Sequence, residues 1–300
     1  MQAQAQKPLF SPSRMVTHLV FILLSLICVV PLLLVVSISF TDEQSLMRDG
    51  YRLIPQVFST ASYQYVFSGA GSVFNAYGVT IFVTVVGTGL HLLITSMLAY
   101  GLTRPEVTAR NRVALFVYLP VLFNGGLVSQ YILLSRYLNL KNTFAVLIVV
   151  GLVSPVNVLI MKNYFRTIPN SLIESARIDG SGEIHTFFRI VFPLSTPSLA
   201  TIGLFVAIYY WNDWMTCSLY IEKSNMRTLQ YLLQSLMNNI AYLQANAANA
   251  SQSMQEAMLN VPNEGARMAT CVLAVGPIIL LYPLLQKYFE KGLTVGAVKE

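Results

Sequence analysis

The chain has 300 residues, of which 55% are hydrophobic and only 11% are charged. Its mean hydropathy is +0.59. Soluble domains carry about 25% charged residues, so this composition excludes an ordinary soluble fold and predicts a membrane protein built from apolar helices. The net charge of +6 comes from short basic segments between apolar runs, a pattern that orients a chain in a bilayer and argues against nucleic-acid binding.

Six apolar runs are long enough to cross a bilayer as helices, which takes about 20 residues each. They cover residues 16–40, 75–100, 113–134, 143–161, 199–219 and 268–289. The first run exceeds the roughly 7–15 apolar residues of a signal peptide and no A-x-A site follows it, so we interpret it as an uncleaved helix. Internal prolines such as Pro120 and Pro155 predict kinks or breaks in these helices. The predicted fold class is an all-α membrane protein with six transmembrane helices.

The distribution of basic residues predicts the orientation of the chain. With the N-terminus inside, twelve of the nineteen Lys and Arg lie on the inner side and seven on the outer side. The positive-inside rule therefore places both termini in the cytoplasm, and only the short loop with Arg136 and Lys141 has the opposite bias. The whole of 1–300 then forms one membrane domain with two long loops. One is cytoplasmic (166–196) and the other is extracytoplasmic (220–267).

The cytoplasmic loop predicts a helix, a sharp turn and a second helix. Ser171 and Glu174 have the spacing of a capping box, so a helix is expected over residues 171–179. It should stop at Gly180, because glycine permits a left-handed turn, and a second helix should follow over residues 183–189, before the next proline. Local physics alone explains Glu174 as a cap and Gly180 as a helix terminator, without any binding role.

The same loop resembles a known motif. Glu174-Ser175-Ala176, three residues, Gly180, nine residues and Ile190-Val191-Phe192-Pro193 have the spacing of the EAA loop of ABC importer permeases. Ser175 replaces the middle alanine of that motif, and Phe192 replaces a leucine. The resemblance implies a coupling helix between spans four and five that docks on a partner ATPase. It implies docking roles for Glu174, Ser175, Ala176, Arg177, Asp179, Gly180, Ile190 and Pro193, with Leu172, Ile173 and Ala176 packing and Glu174, Arg177 and Asp179 forming a charged rim.

Further segments narrow the resemblance to carbohydrate permeases similar to the smaller maltose-transporter subunit. Trp211-Asn212-Asp213 and the tail over residues 286–299 are similar to that group. Residues 123–126 (Phe-Asn-Gly-Gly) and 174–180 resemble a subgroup that serves polysaccharide fragments, including uronate-containing ones from alginate and pectin. The resemblance implies import of an oligosaccharide and a further contact of residues 296–300 with the ATPase pair.

The sequence has no G-x-x-x-x-G-K-[ST] phosphate loop, so we expect no cofactor on this chain and ATP with Mg²⁺ on the partner ATPase. It also shows no catalytic motif, and its three cysteines have no metal-ligand spacing. We therefore predict a pore subunit and not an enzyme. The resemblance implies a location in the bacterial cytoplasmic (inner) membrane. It also implies four partner chains: a second, related permease, two ATP-binding subunits and an extracytoplasmic solute-binding protein.

Polar residues within the apolar runs are candidates for the translocation path. A charge in the bilayer centre costs about 2.5 kcal/mol or more, so Asp213 is a pathway or subunit-contact candidate. The full set is Asn124, Asn157, Trp211, Asn212, Asp213 and Trp214. Hydrogen bonding between helices is the structural alternative for all the polar members.

The outer loop contains a helical pattern of leucines. The apolar residues with this spacing are Leu229, Leu232, Leu233, Leu236 and Ile240, which predict an amphipathic helix along the membrane face. The resemblance implies that this loop meets the solute-binding protein, and a passive connector is the open alternative.

Two other functions were compared with the importer. An ion-coupled secondary carrier predicts internal repeats and several intramembrane acids, whereas Asp213 stands alone in its run. An intramembrane hydrolase needs a Ser/His or metal pair at a recognisable spacing, which the sequence lacks. The carrier is the stronger alternative to the importer.

Overall fold

The structure is a computed structural model that describes residues 12–68, 70–246 and 263–279. Within these ranges the regular structure is helical, apart from one isolated antiparallel bridge between Thr41 and Phe58. The helices cover Pro12–Ser39 (α1), Glu43–Asp49 (α2), Ala61–Phe67 (α3), Ala70–Thr103 (α4), Arg110–Leu122 (α5), Gly126–Ile132 (α6), Phe144–Val149 (α7), Pro155–Phe165 (α8), Asn170–Ile178 (α9), Glu183–Thr186 (α10), Phe192–Leu194 (α11), Thr196–Asn212 (α12), Met215–Tyr220 (α13), Leu229–Asn246 (α14) and residues 263–279 (α15). A wider π-helical turn follows α6 over Leu133–Tyr137, and a second one joins α10 to α11 over Phe187–Val191. A 3-10 turn covers Ser224–Met226. The predicted all-helical class is confirmed for the described residues.

The described residues fall into two compact units. Unit 1 combines residues 12–68 with residues 239–246 and 263–275, and unit 2 contains residues 70–238 and 276–279.

In unit 1, α1 is apolar on all sides, and most of its side chains between residues 15 and 36 are exposed. A helix of this kind suits lipid or another membrane helix as its neighbour. At its end the Phe40 ring stacks on Phe58 at 5.5 Å between centroids and lies 4.8 Å from Tyr63. The Ser39 and Tyr63 hydroxyls are hydrogen-bonded at 2.9 Å. These contacts fix the chain where it leaves the long helix.

Glu43 connects the first part of unit 1 to α15. Its carboxylate accepts hydrogen bonds from the backbone N–H groups of Glu264 and Gly265, both at 3.1 Å. The amides of a first helical turn have no partner within the helix, so this side chain satisfies two of them and its charge suits the helix dipole. Gly265 packs so closely on Ser62 that a Cβ at position 265 would collide with the serine hydroxyl.

In unit 2, the long helix α4 packs against α12 and α8, and also against α5 and α7. Its buried residues join those of the neighbouring helices in one apolar core, which includes Val79, Val83, Met161, Ile202 and Val206. The start of α14 is fixed to the same helix, because the Leu229 N–H donates to the Thr80 hydroxyl at 2.8 Å. The helix predicted from the leucine spacing is confirmed, and its Leu229 and Leu233 side chains are buried.

Two of the predicted spans are single long helices, and three are interrupted. Residues 15–39 of α1 and 73–103 of α4 are each long and apolar enough to cross a membrane. The run 113–134 bends by 120° between α5 and α6, 143–161 divides into α7 and α8, and 199–219 divides into α12 and α13. Another bend, of 79°, separates α12 from the preceding helix over Glu183–Leu194. The sixth run begins earlier than predicted, at residue 263, and its part beyond residue 279 lies outside the described residues.

Each interruption has a local cause. Ser154 is extended, with φ −115° and ψ 120°, as expected before a proline, and Pro155 then starts α8. The Asn124 side chain accepts a hydrogen bond from the Gly126 N–H at 2.9 Å and so stabilises the turn after α5. Asp213 accepts a hydrogen bond at 3.0 Å from the N–H of Thr216, in the first turn of α13. The break predicted at Pro155 is confirmed. The other two interruptions were not predicted, because they involve the Asn124 and Asp213 side chains, which compete with the helical backbone.

The loop with Arg136 and Lys141, which opposed the charge rule, contacts the chain after α13. The Lys141 ammonium lies 2.5 Å from the Glu222 carboxylate, and the Asn142 N–H donates to the Tyr220 carbonyl at 3.0 Å. The two connections therefore lie on one side of unit 2, and Lys141 is neutralised there by an acid.

Candidate functional site

The helix α9 begins one residue before the predicted start. Extended Pro169 occupies the capping position, so Ser171 falls inside the first turn and no side chain caps the helix. The predicted capping box of Ser171 and Glu174 was therefore wrong, since proline at position 169 already sets the backbone angles that start the helix.

The end of α9 lies where the sequence predicts it. Gly180 has φ +80°, its N–H donates to the Arg177 carbonyl at 3.0 Å, and the Ser181 N–H donates to the Ala176 carbonyl at 2.9 Å. These two bonds form a Schellman motif, which satisfies the last carbonyls of the helix and requires a left-handed residue. Gly180 is thus confirmed as the terminator.

The second helix begins at Glu183, as predicted, but continues farther. Helical structure runs through a π-helical turn to Leu194, so it does not end before Pro193. Pro193 is tolerated because it lies in the first turn of α11, where a backbone N–H would make no α-helical hydrogen bond.

The docking residues implied by the resemblance divide into exposed and buried sets. Glu174, Ser175, Asp179, Gly180 and Pro193 are exposed, whereas Arg177 and Ile190 are half-buried. An open cleft of about 550 Å³ beside α9 is lined by Ala176, Asp179, Gly180 and Ile190, among others, so the structure brings these four together.

The predicted apolar packing face of α9 was wrong in two of its three members. Ile173 is only 2% exposed and Ala176 8%, because their helical spacing turns both toward the core of unit 2. Leu172 remains exposed, and the largest apolar surface lies instead on Ile178, 87% exposed, and Ile184, 72% exposed.

Arg177 is the centre of an ionic network. Its guanidinium donates from Nε and Nη2 to one Glu183 oxygen, at 3.1 and 2.7 Å, and Nη1 contacts Glu106. The Arg177 hydrogen bond lowers the pKa of Glu106 to about 2. The pKa of Glu183 is also lowered, first by the hydroxyl of Tyr100 and then by Arg177. Both carboxylates raise the pKa of Arg177, so all three groups are charged at neutral pH.

A second cluster surrounds the interruption between α7 and α8. The His91 Nδ1 donates to the Gly151 carbonyl at 2.8 Å, and the Asn157 amide donates to His91 Nε2 at 3.0 Å. This arrangement fixes the neutral tautomer of the imidazole with its proton on Nδ1. The Tyr210 hydroxyl donates to the Ile148 carbonyl at 2.7 Å. Carbonyls at the interruption therefore receive side-chain donors, as non-helical backbone in a membrane requires.

The Tyr210 ring occupies space that two glycines leave open. A Cβ on Gly87 of α4 would lie 2.7 Å from the Tyr210 ring, and a Cβ on Gly151 would lie 2.9 Å from it. The ring is held closely between the two backbones.

The predicted pathway residues 211–214 lie where α12 ends. Trp211 is buried, with its ring 6.5 Å from that of Tyr77, and Trp214 is partly exposed. The exposed Asn212 amide donates to the Ile208 carbonyl and accepts from Gln230 of α14 at 3.4 Å.

The six pathway candidates do not form one site in unit 2. Asn157 belongs to the His91 cluster, and exposed Asn124 belongs to the turn after α5. Asp213 lies at the interruption between α12 and α13 and accepts from an amide in the first turn of α13, so it is not a charge in the middle of a helix. In the described part of the chain, no group of three or more His, Cys, Asp and Glu side chains could hold a metal ion.

Sequence reasoning missed the partners of both clusters. His91, Tyr210 and Glu106 are not among the site residues predicted from the sequence. Their contacts span 60 residues or more, as in His91 to Gly151 and Arg177 to Glu106. Two sequence signals pointed to the second cluster: Pro155, as a sign of an interruption, and Asn157, as a pathway candidate.

Comparison with known proteins gives consistent results. The family described as Binding-protein-dependent transport system inner membrane component matches residues 4–295. The Polygalacturonan/rhamnogalacturonan transport system permease protein YtcP of Bacillus subtilis (strain 168) is 36% identical over 278 residues, covering 93% of this chain and 95% of the relative. Protein LplC of the same strain is 38% identical over 273 residues, covering 91% and 90%. A solved bacterial ABC transporter involved in the import of the acidic polysaccharide alginate contains a chain with TM-score 0.80 and 25% identity, covering 94% of this chain and 100% of that one.

Proposed function

Because the chain belongs to the family of inner-membrane components of binding-protein-dependent transport systems, we propose that it is the transmembrane permease subunit of an ATP-driven importer of acidic oligosaccharides. The family match over residues 4–295 supports the permease role. The names of two similar proteins support the substrate class, because polygalacturonan and alginate are both polymers of uronic acids.

The observation that supports the coupling role most directly is the geometry of α9. It is a short helix with a Schellman end that presents Glu174, Ser175 and Asp179 to solvent, next to exposed Leu172 and Ile178. An exposed amphipathic helix of this length fits a groove on a partner, with apolar anchors and a charged rim. The partner is an ATPase pair, whose closure on ATP moves the helices of the permease.

The remaining parts of the importer follow from this role. Six spans cross the cytoplasmic membrane with both termini inside, and residues 166–196 face the ATPase pair. A second, related permease completes the pore, and the extracytoplasmic loop over 220–267 meets the solute-binding protein. The residues proposed for the path are Asn212 and Trp214, which are exposed at the end of α12.

Reconstitution of the chain with its partner permease, ATPase pair and binding protein in phospholipid vesicles tests this proposal. ATP hydrolysis and uptake are measured with oligogalacturonates, alginate-derived oligouronates and neutral malto-oligosaccharides. We expect strong stimulation by one uronate class, only when its binding protein is present.

Stimulation by neutral sugars alone would contradict the acidic substrate class but would still support the importer role. Uptake driven by an ion gradient without any ATPase would overturn the importer itself.

A further inference from the structure

The turn that follows α4 is bonded directly to the coupling helix. Glu106 lies in this exposed turn, just beyond the end of α4 at Thr103. Its carboxylate contacts Arg177, which belongs to the last turn of α9. The two residues are 71 positions apart in sequence, so the contact joins two separate segments of the chain.

The same arginine reaches α4 by a second route. It binds one oxygen of Glu183, whose other oxygen accepts from the Tyr100 hydroxyl at 2.7 Å. Tyr100 lies in the last turns of α4, with its ring 5.3 Å from that of Phe187 and under the Arg104 guanidinium at 4.7 Å. A continuous series of polar contacts therefore runs from α9 through α10 to α4.

The covalent connection between α9 and α10 is a short turn with two glycines. It consists of Asp179, Gly180 with positive φ, Ser181 and a second glycine, Gly182. Glycines leave the backbone free to rotate, so a displacement of α9 would be absorbed in the turn unless side chains bridged it. Arg177 bridges it, because its planar guanidinium holds two carboxylates at fixed angles and a lysine ammonium does not.

We propose that Arg177 is a positioning residue that fastens α9, the start of α10 and the end of α4 into one moving body. The inference rests on the proposed function, since the displacement comes from an ATPase docked on α9. With the clamp of Arg177, Glu106 and Glu183 intact, that displacement reaches α4, the longest helix of unit 2. Without it, the ATPase pair still docks and hydrolyses ATP, and less of the motion reaches the pore.

The test uses the complete reconstituted importer and the sugar that stimulates it most in the panel above. The quantity measured is the number of sugar molecules imported per ATP hydrolysed, together with co-purification of the ATPase pair. For Arg177→Gln we expect this ratio to fall about fivefold, because two partly exposed ion pairs make a coupling of modest size. Co-purification of the ATPase pair should be unchanged. The import ratio of Arg177→Lys should lie between those of the wild type and Arg177→Gln.

A double-mutant cycle separates the clamp from general effects. Glu106→Gln should lower the ratio by itself, and its combination with Arg177→Gln should be no worse than Arg177→Gln alone, since both remove the same contact. The matched control is Arg112→Gln, which removes an exposed arginine that makes no ion pair among the described residues, and the ratio should stay at the wild-type value.

The outcomes distinguish failure of the clamp from failure of the function. If the wild-type complex shows no sugar-stimulated ATP hydrolysis, the proposed function is wrong and the clamp with it. If the wild type is coupled and Arg177→Gln is coupled equally well, only the clamp is wrong. Additive losses in the cycle, or loss of the ATPase pair from Arg177→Gln, would overturn the clamp in favour of a docking role.

Discussion

The Tyr210 hydroxyl bonds to the Ile148 carbonyl at the interruption between α7 and α8. Tyr210→Phe keeps the ring and removes this donor, so we expect a loss of about 1 kcal/mol in the free energy of unfolding. Thermal unfolding of the purified protein in detergent measures it. The control is Tyr209→Phe, because the neighbouring hydroxyl makes no hydrogen bond among the described residues and its ring is 48% exposed. Equal losses from both variants would show that the Ile148 contact contributes nothing.

Gly87 and Gly89 give a matched pair within α4. A Cβ at Gly87 would lie 2.7 Å from the Tyr210 ring, whereas a Cβ at Gly89 meets no atom within 4 Å. Gly87→Ala should therefore destabilise the protein by about 1–3 kcal/mol through overpacking. Gly89→Ala should be neutral or stabilising by up to about 1 kcal/mol, because alanine favours a helix. Melting temperatures of the two variants check this, and a Gly87→Ala protein as stable as wild type would contradict the close packing.

At the scale of elements, the end of α9 was predictable and its start was not. Gly180 was predictable because a left-handed residue is a local requirement that glycine meets. The start was missed because Ser171 and Glu174 fit a capping box, while Pro169 starts the helix equally well by its fixed φ. The burial of Ile173 was also missed, since helical periodicity shows which residues share a face but not what that face contacts.

The left-handed turn at Gly180 gives a test of coupling. Its Cβ position is open, so a substitution there acts through φ +80° alone. Gly180→Val should strain the turn by about 1–2 kcal/mol and lower sugar import per ATP hydrolysed. Gly182→Ala is the control, since Gly182 has φ −72° and open space around it. If Gly180→Val keeps wild-type coupling, the turn does not set the position of α9.

The clamp should be insensitive to mild acid. The pKa of Glu106 is lowered from 4.5 to about 2, so the ionised carboxylate favours the native state above pH 4.5, and this contribution is lost only as the pH falls toward 2. The difference in coupling between wild type and Glu106→Gln should therefore be constant from about pH 8 to pH 5. Transport assays in vesicles buffered at each pH measure it, and a difference that disappears near pH 6 would contradict the low pKa.

At the scale of the whole molecule, composition alone was enough to predict an all-helical membrane protein. Pro155 predicted one of the three interruptions, but the sequence did not show the distant donors, such as His91 and Tyr210, that stabilise the carbonyls there. Hydropathy measures whether a segment prefers lipid and contains no information on those partners. For the same reason the six pathway candidates could not be sorted into separate clusters from sequence.

The orientation of the chain gives a prediction at this scale. In a variant whose native cysteines are replaced, Ile178→Cys should be labelled by a membrane-impermeant maleimide only from the cytoplasmic side. Lys223→Cys should be labelled only from the outside, since the proposed orientation places the connections joined by the Lys141 to Glu222 ion pair on the extracytoplasmic side. Both positions are exposed, so accessibility depends on the side of the membrane. Labelling of both from the same side would refute the six-span topology.

The interruption between α7 and α8 also affects how the protein is made. The Ile148 carbonyl and its donor Tyr210 are separated by 62 residues, so the acceptor leaves the ribosome before its partner exists. At about 5–20 residues per second, the segment waits about 3–12 seconds for the tyrosine. Over that interval its open carbonyls need water or the insertion machinery as partners. The hydrogen bond that satisfies the Ile148 carbonyl therefore forms only after residue 210 has been synthesised.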